Sequence, residues 1–302
     1  MKKYYRALML CKLPLLISVA TLTMPVSAQQ STEQTPTVIK IPAKVFEDKE
    51  IYRYFSDVLK LALDKTASNE TPTIIKTDPA NASQDRLLRR VKEGATDVTW
   101  AVSSAEREQE NLAVYVPLAR GLLGYRVFIV HPDLAKQFAD IEIDALKQLI
   151  AVQGAGWPDT ETLRYNNLEI EEVPYRMTFK LIDTRMADYF PRSVIEVQAE
   201  INNRPQLSLA LEESVALYYP SPVYFFVNKA NTQLANRIHR GLDIALQDGS
   251  FTALFDSQTF ATVAKKQFKN RRVISLENPT LTEKSKLALK TYQSYLVDIN
   301  NQ

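Results

Sequence analysis

Strand-like and helix-like spacings of apolar residues alternate along this chain. Residues 38–41, Val-Ile-Lys-Ile, read as a first strand, and 51–63 sets Ile51, Phe55, Val58, Leu59, Ala62 and Leu63 along one helix face. Residues 73–76 read as a second strand. The stretch 85–93 predicts a helix with Leu87, Leu88 and Val91 turned inward and Gly94 closing it, and 97–102 a largely apolar third strand. Strands that alternate with helices predict an α/β body on a mainly parallel sheet.

After a strand at 124–130 the alternation starts again, with a helix at 143–149, an extended stretch at 150–153 and the turn Gly154-Ala155-Gly156-Trp157-Pro158. Pro158 suits the first position of a helix running from Asp159. Residues 169–173 predict a strand, 176–184 a helix, 187–190 a strand, and 193–201 a helix built on Val194, Val197 and Ile201. An extended return follows, 215–219 and 223–227 on either side of Pro220-Ser221-Pro222. The strongest helix is 232–247, whose Leu234, Ile238, Leu242, Ala245 and Leu246 share a stripe. Asp248-Gly249-Ser250 stops it, Ser250 can cap a helix over 251–260, and 280–296 predicts the last helix.

The first 28 residues follow a different pattern. Lys2, Lys3, Arg6 and Lys12 precede an apolar run at 13–24 and the small residues Val26-Ser27-Ala28, the pattern of a cleaved secretory signal. Twelve apolar residues would span only about 18 Å as a helix, short of a roughly 30 Å hydrocarbon layer, which sets the membrane-anchor alternative aside. Of 37 basic and 35 acidic residues the segment takes four bases and no acids, leaving 33 against 35. The processed chain is therefore slightly acidic, and nothing in its charge predicts nucleic-acid binding. The single cysteine, Cys11, leaves with the segment, and with it any disulfide, thiolate nucleophile or cysteine-ligated metal. About 270 residues exceed what one core usually fills, so two lobes are expected.

Motif chemistry is sparse. His131 and His239, the only histidines, sit in different elements without metal-ligand spacing, and neither a phosphate loop nor a nucleophile elbow is visible. Glu212 and Glu213, adjacent on an extended segment, point to opposite faces and do not form a catalytic pair. Arg86, Arg89, Arg90 and Lys92 read as the solvated face of a short helix.

Four segments carry a resemblance: Gly94-Ala95-Thr96-Asp97 leading through a strand into Ser103-Ser104-Ala105-Glu106-Arg107, the turn 153–160, residues 185–192, and Gly241-Leu242 through Asp248-Gly249-Ser250-Phe251. In order and spacing they resemble the type 2 periplasmic solute-binding proteins, and more narrowly the amino-acid-binding family 3. The resemblance implies an α/β, two-lobed fold with a two-strand hinge: residues 29–125 and 223–302 in lobe 1, 126–222 in lobe 2, after the signal at 1–28. It implies a monomeric, non-enzymatic periplasmic protein without cofactor or metal that captures a small polar, carboxylate-bearing ligand for a membrane permease of the ATP-driven class. A sensory role beside a membrane-bound kinase or cyclase is the alternative, and a lyase on the same fold would need a carboxylate in the cleft.

The resemblance places Arg107 where family members grip a ligand carboxylate, although the run Glu106-Arg107-Glu108 also fits a surface arginine paired with its neighbours. Gln153, Trp157 and Thr160 fall on a strand-to-helix turn able to hold an anionic group, or else on a capped turn packed by its tryptophan. Arg192 stands near the position where the family carries an acid for the ligand's ammonium. A cation there predicts a ligand richer in negative charge, unless Arg192 is a lobe-surface residue or pairs with Glu196 one turn on. Trp100, Ser103 and Tyr219 lie near strand ends or the hinge, as cleft lining or as core packing.

Overall fold

The computed structural model describes Met1 and residues 37–44, 49–67, 73–268 and 271–297, so the expected signal segment, Met1 apart, lies outside the described residues. In chain order the strands are β1 (Thr37–Lys44), β2 (Thr73–Asn81), β3 (Val98–Val102), β4 (Leu112–Val114), β5 (Tyr125–Val130), β6 (Ile150–Gly154), β7 (Glu169–Val173), β8 (Tyr189–Ser193), β9 (Ala210–Leu211), β10 (Val215–Tyr218), β11 (Val223–Val227) and β12 (Arg272–Ser275). The helices are α1 (Lys49–Lys65), α2 (Gln84–Lys92), α3 (Ala105–Glu110), α4 (Ile143–Leu146), α5 (Pro158–Tyr165), α6 (Tyr175–Asp183), α7 (Val197–Asn202), α8 (Thr232–Gln247), α9 (Ser250–Asp256), α10 (Thr259–Phe268) and α11 (Glu283–Thr291).

These elements belong to one unit, Thr35–Gln302, in which two sheet-centred bodies meet. The smaller sheets are the parallel pair β1–β2 and the antiparallel set β3–β11–β4, with all five residues of β3 and of β11 buried. Lys40 N donates to the Asp97 carboxylate and Asp97 N to the Lys40 carbonyl, which sets β1 beside the entry to β3. α1 and α8 bury Ile51, Phe55, Val58, Leu59, Ile238 and Leu242 in one core with Trp100 and Phe225. The expectation of amphipathic helices at 51–63 and 232–247 is met because both have a wide apolar stripe and a polar back.

The second body is built on the larger sheet, ordered β12–β10–β5–β8–β6–β7 with β9 on β5. Parallel and antiparallel pairs are mixed: β6 runs parallel to β7 and β8, while β5 is antiparallel to β8 and β10. Two crossings join the bodies, one from β4 into β5 and one from β10 into β11. They run side by side, with Tyr219 N donating to the Gly124 carbonyl and the Tyr125 and Tyr218 rings 4.6 Å apart.

Several details depart from the expected layout. The helix expected at 193–201 starts only at Val197, because Ser193 still pairs with Arg126 as the end of β8, and the sheets are not mainly parallel, since β11 and β5 run antiparallel to their neighbours. The stretch 251–260 is not one helix, since Ser257 and Gln258 break it into α9 and α10. The expected helix 280–296 is shorter, from Glu283 to Thr291, because the chain before it is tied down by Thr280 and Asn278. Residues 272–275, within the span expected in lobe 1, instead add β12 to the large sheet parallel to β10. The chain then returns, and Ala105 N donates to the Thr280 carbonyl.

Candidate functional site

A cavity of about 760 Å³ lies where the two bodies face each other. One wall comes from the start of α2, with Ser83, Gln84 and Arg86, and from Val102 and Leu123. The other comes from the β6–α5 turn, from Tyr175 and Arg176 on α6, and from a buried set of charges on β5, β8, α5 and α7.

Arg192, on β8, is the centre of that set. Its Nε donates to Glu200 Oε2 at 2.8 Å and its Nη2 to Glu200 Oε1 at 2.6 Å, a bidentate fork between two buried side chains. Glu196 Oε2 lies 3.2 Å from Nη2, and the Tyr175 hydroxyl donates to Glu200 Oε1 at 2.7 Å. The guanidinium also lies over the Trp157 ring, 4.6 Å from its centroid. The expectation of a ligand rich in negative charge rested on a free cation at this position. With two glutamates against it, Arg192 has no charge to spare.

A second buried pair sits beside it. Arg126 Nη2 approaches Asp159 Oδ1 at 2.6 Å and donates to Ser221 Oγ at 3.2 Å, and the Tyr219 hydroxyl donates to the same Asp159 oxygen at 2.5 Å. β5, the first turn of α5 and the second crossing thus converge on one carboxylate. Burial pushes the Tyr219 hydroxyl well above its ordinary value, which keeps it a donor. Arg126 is 2% exposed and lines the cavity, yet its Nε meets no acceptor among the described residues.

The carboxyl of Glu196 is pushed up to about 7, first by burial and then by the nearby Glu200 and Asp159 carboxylates, against the pull of Arg192 and Arg126. Its neighbours are better satisfied: Glu200 takes three donors and Asp159 two, whereas Glu196 has one contact at 3.2 Å.

The residues singled out from the sequence fall in different places. Trp157 and Arg192 line the cavity together. Arg107 is buried at the end of a network, its Nη1 donating to Gln84 and the Val102 carbonyl, its Nη2 to Asp85 at 2.6 Å and more weakly to the Gly156 carbonyl at 3.5 Å. It bridges α2 to the β6–α5 turn instead of opening into the cavity. Gly156 is required there, because its φ is +76° and a Cβ would fall 2.6 Å from the Asp85 carboxylate. Arg107 and Thr160 line a second recess of about 1240 Å³ on the far side of that contact. Gln153 is buried, donating to the Pro191 carbonyl. Trp100 is core, within 6.2 Å of the Tyr52, Phe55 and Phe225 rings, and Ser103 is a buried donor to Glu108. Tyr219 belongs to the Asp159 cluster. Sequence reading passed over Arg126, Asp159 and Glu200, and gave Glu196 only as a pair for Arg192. It also read Arg86 as part of a solvated face, whereas Arg86 stands at the cavity mouth opposite Arg176.

Two sheet-centred bodies joined by adjacent crossings, with a charged cavity between them, make up the type 2 periplasmic binding-protein fold. Solved structures share it. An ancestral arginine-binding protein bound to arginine matches at TM-score 0.55 and 12% identity, over 74% of this chain and 99% of its own. The arginine-specific periplasmic binding protein of Salmonella typhimurium matches at TM-score 0.55 and 16% identity, over 74% and 99%. A histidine kinase sensor domain similar to periplasmic binding proteins matches at TM-score 0.53 and 13% identity, over 74% and 96%. No protein-family model matches the sequence. No curated protein matches it at a significant level. Among the described residues, no helix is long and apolar enough to cross a membrane.

Proposed function

We propose that the chain is an exported solute-binding protein that captures a small polar, carboxylate-bearing molecule between its two lobes and presents it to a membrane permease. The observation that carries this reading is Arg126. It is a buried guanidinium in the wall of a cavity large enough for an amino-acid-sized solute, and while its Nη2 serves Asp159 and Ser221, its Nε has no acceptor among the described residues. A ligand carboxylate would supply the missing acceptor. Arg86 and Arg176, exposed at the mouth from opposite walls and without ion-pair partners among the described residues, would draw an anionic group inward. Lobes joined by two adjacent strands can close over such a ligand and shut out water.

A sensory role is the second reading, favoured by the likeness to a kinase sensor domain. The capture step is the same and the partner differs.

The test is a thermal-shift screen of the processed protein against amino acids, dicarboxylates and peptidoglycan fragments, with mass spectrometry of co-purifying solutes. A ligand at a hundred times its dissociation constant stabilises by about 2.7 kcal/mol. Arg126→Gln should abolish the shift. A screen in which nothing binds, with nothing co-purified, removes the capture reading, and chemical turnover of a bound compound replaces it with an enzyme.

A further inference from the structure

Beside the two crossings, the chain passes between the bodies again near its C-terminal end. β12 adds Arg272–Ser275 to the large sheet, where Leu276 N still donates to the Tyr218 carbonyl and the Leu276 side chain is buried in the core of the second body. By Thr280 the chain is on the first body: the Thr280 carbonyl accepts from Ala105 N of α3, and Thr282 and Ser285 donate to Glu108. Fully extended, the backbone from Leu276 to Thr280 covers at most about 14 Å, which caps how far the bodies can part on this side while both ends stay bonded.

The middle of that connection is tied to both of its neighbours. Asn278 is 8% exposed; its Oδ1 accepts from the Thr162 hydroxyl at 3.0 Å, from Thr280 N at 2.9 Å and from the Thr280 hydroxyl at 2.8 Å, and its Nδ2 donates to the Pro220 carbonyl at 2.7 Å. Thr162 belongs to α5 in the second body and Pro220 to the second crossing, so one side chain joins both to the connection. Next to it, Glu277 N donates to Asn166 Oδ1 at 3.2 Å and Asn166 Nδ2 to the Glu277 carbonyl at 2.8 Å. Thr162 and Thr280 are buried as well, so parting them from Asn278 leaves polar groups unpaired unless water enters. Widening the cavity draws α5 away from α2 and α3, which Arg107 bridges to the β6–α5 turn, and Thr162 stands one turn along α5 from its start. The bonds on Asn278 therefore lie across the path of opening.

We propose that residues 276–280 form a strap that holds the two lobes near their closed separation before any solute binds, with Asn278 as its latch. Two lobes on a pair of adjacent strands can swing about them, and this chain adds a third, short tie whose bonds reach α5, the second crossing and, through Thr280, α3. The inference goes beyond solute capture and does not depend on it. A captured solute would enter through a small opening or after Asn278 lets go, and a membrane partner that recognises closed lobes would meet them before the solute arrives.

Distances between spin labels test this directly. Without the segment that carries Cys11 the chain has no cysteine, so Ser83→Cys in the wall of the first body and Met177→Cys beside Arg176 on the second, both exposed, take one label each. The processed protein is unfolded, dialysed and refolded first, which removes any solute carried from the cell. Double electron–electron resonance on this labelled protein should give one narrow distance distribution, and a broad or two-component distribution reaching longer distances overturns the strap. Adding Asn278→Ala should bring in a population at longer distance, and Thr162→Val, which removes a single bond to the latch, a smaller one. Should Asn278→Ala fail to fold, Thr162→Val makes the comparison by itself. Distributions that match the labelled parent in every variant that folds overturn the latch. All of these readings are taken without solute, so the capture reading stands or falls separately, on the binding screen.

Discussion

Arg192 and Glu200 lie eight residues apart, on β8 and α7, and meet through two parallel hydrogen bonds of 2.8 and 2.6 Å with both side chains buried. Removing one member of such a pair leaves a desolvated charge in place, which is far costlier than never having built the pair. Glu200→Ala should therefore lose roughly 3–5 kcal/mol in urea unfolding, partly relieved because Glu196 can move onto the freed guanidinium. Glu200→Gln, which keeps an acceptor oxygen, should lose distinctly less. Equal losses in the two variants would show that packing, not charge, holds this corner.

Glu196 gives a pH dependence of defined sign. Its native carboxyl, pushed from an ordinary 4.5 to about 7, keeps a proton that the unfolded chain has already released. The stability this supplies is complete below 4.5 and is lost as pH rises toward 7, by about 1 kcal/mol for each unit of that window. Glu196→Gln lacks the titration, so its stability relative to the parent should climb across the same window and then level off. A difference that stays flat from acid to neutral pH contradicts the assignment.

What the sequence disclosed depended on how local the cause was. α8 was legible to the residue, from Thr232 to Gln247, because its apolar stripe and its Asp-Gly stop are both written in consecutive residues. α3 was not, because Ala105–Glu110 buries only Arg107 and has no apolar rhythm to detect. β12 is a four-residue strand whose existence depends on the edge of β10 being free. At the site, Trp157 and Arg192 could be picked out from the resemblance, and Glu196 from its spacing. Asp159 and Tyr219 are 60 residues apart and meet only because the second crossing passes the start of α5. The partners of Arg107 were hidden for a similar reason: Asp85, its nearest acceptor at 2.6 Å, belongs to the neighbouring helix α2.

The packing of α1 on α8 depends on one residue without a side chain. Gly241 faces the Ala62 carbonyl so closely that a Cβ built there would overlap the α1 backbone. A backbone atom cannot swing aside as a flexible side chain can, so Gly241→Ala must push the helices apart. The expected loss is about 1–3 kcal/mol or more, seen as a lower denaturant midpoint with an unchanged slope. The helix-propensity gain of alanine, about 1 kcal/mol, acts the other way. A variant more stable than the parent would mean that the two helices have room the structure does not show.

Glu108 holds the C-terminal helix to the first body. Its Oε1 accepts from Ser103 Oγ and Ser285 Oγ, both at 2.6 Å, and its Oε2 from Thr282 Oγ1 at 2.6 Å and the Tyr115 hydroxyl at 2.9 Å. Thr282 is the N-cap of α11 and Ser285 lies in its first turn, so one carboxylate secures the start of the helix to β3 and to the end of β4. α11 has little other anchorage, since only Ser285 and Ala288 are buried along it. Hydrogen bonds to a charged acceptor are worth about 1.5–3 kcal/mol each and are not additive within one cluster. Glu108→Ala should thus release α11 locally before the rest of the fold unfolds. Trypsin should then cut at Lys284, Lys286 and Lys290 well ahead of any site in α8, whereas Glu108→Gln, with one acceptor oxygen left, should fall between that variant and the parent. If Glu108→Ala leaves the rate of cleavage at those three lysines unchanged, the four hydroxyls do not restrain the helix.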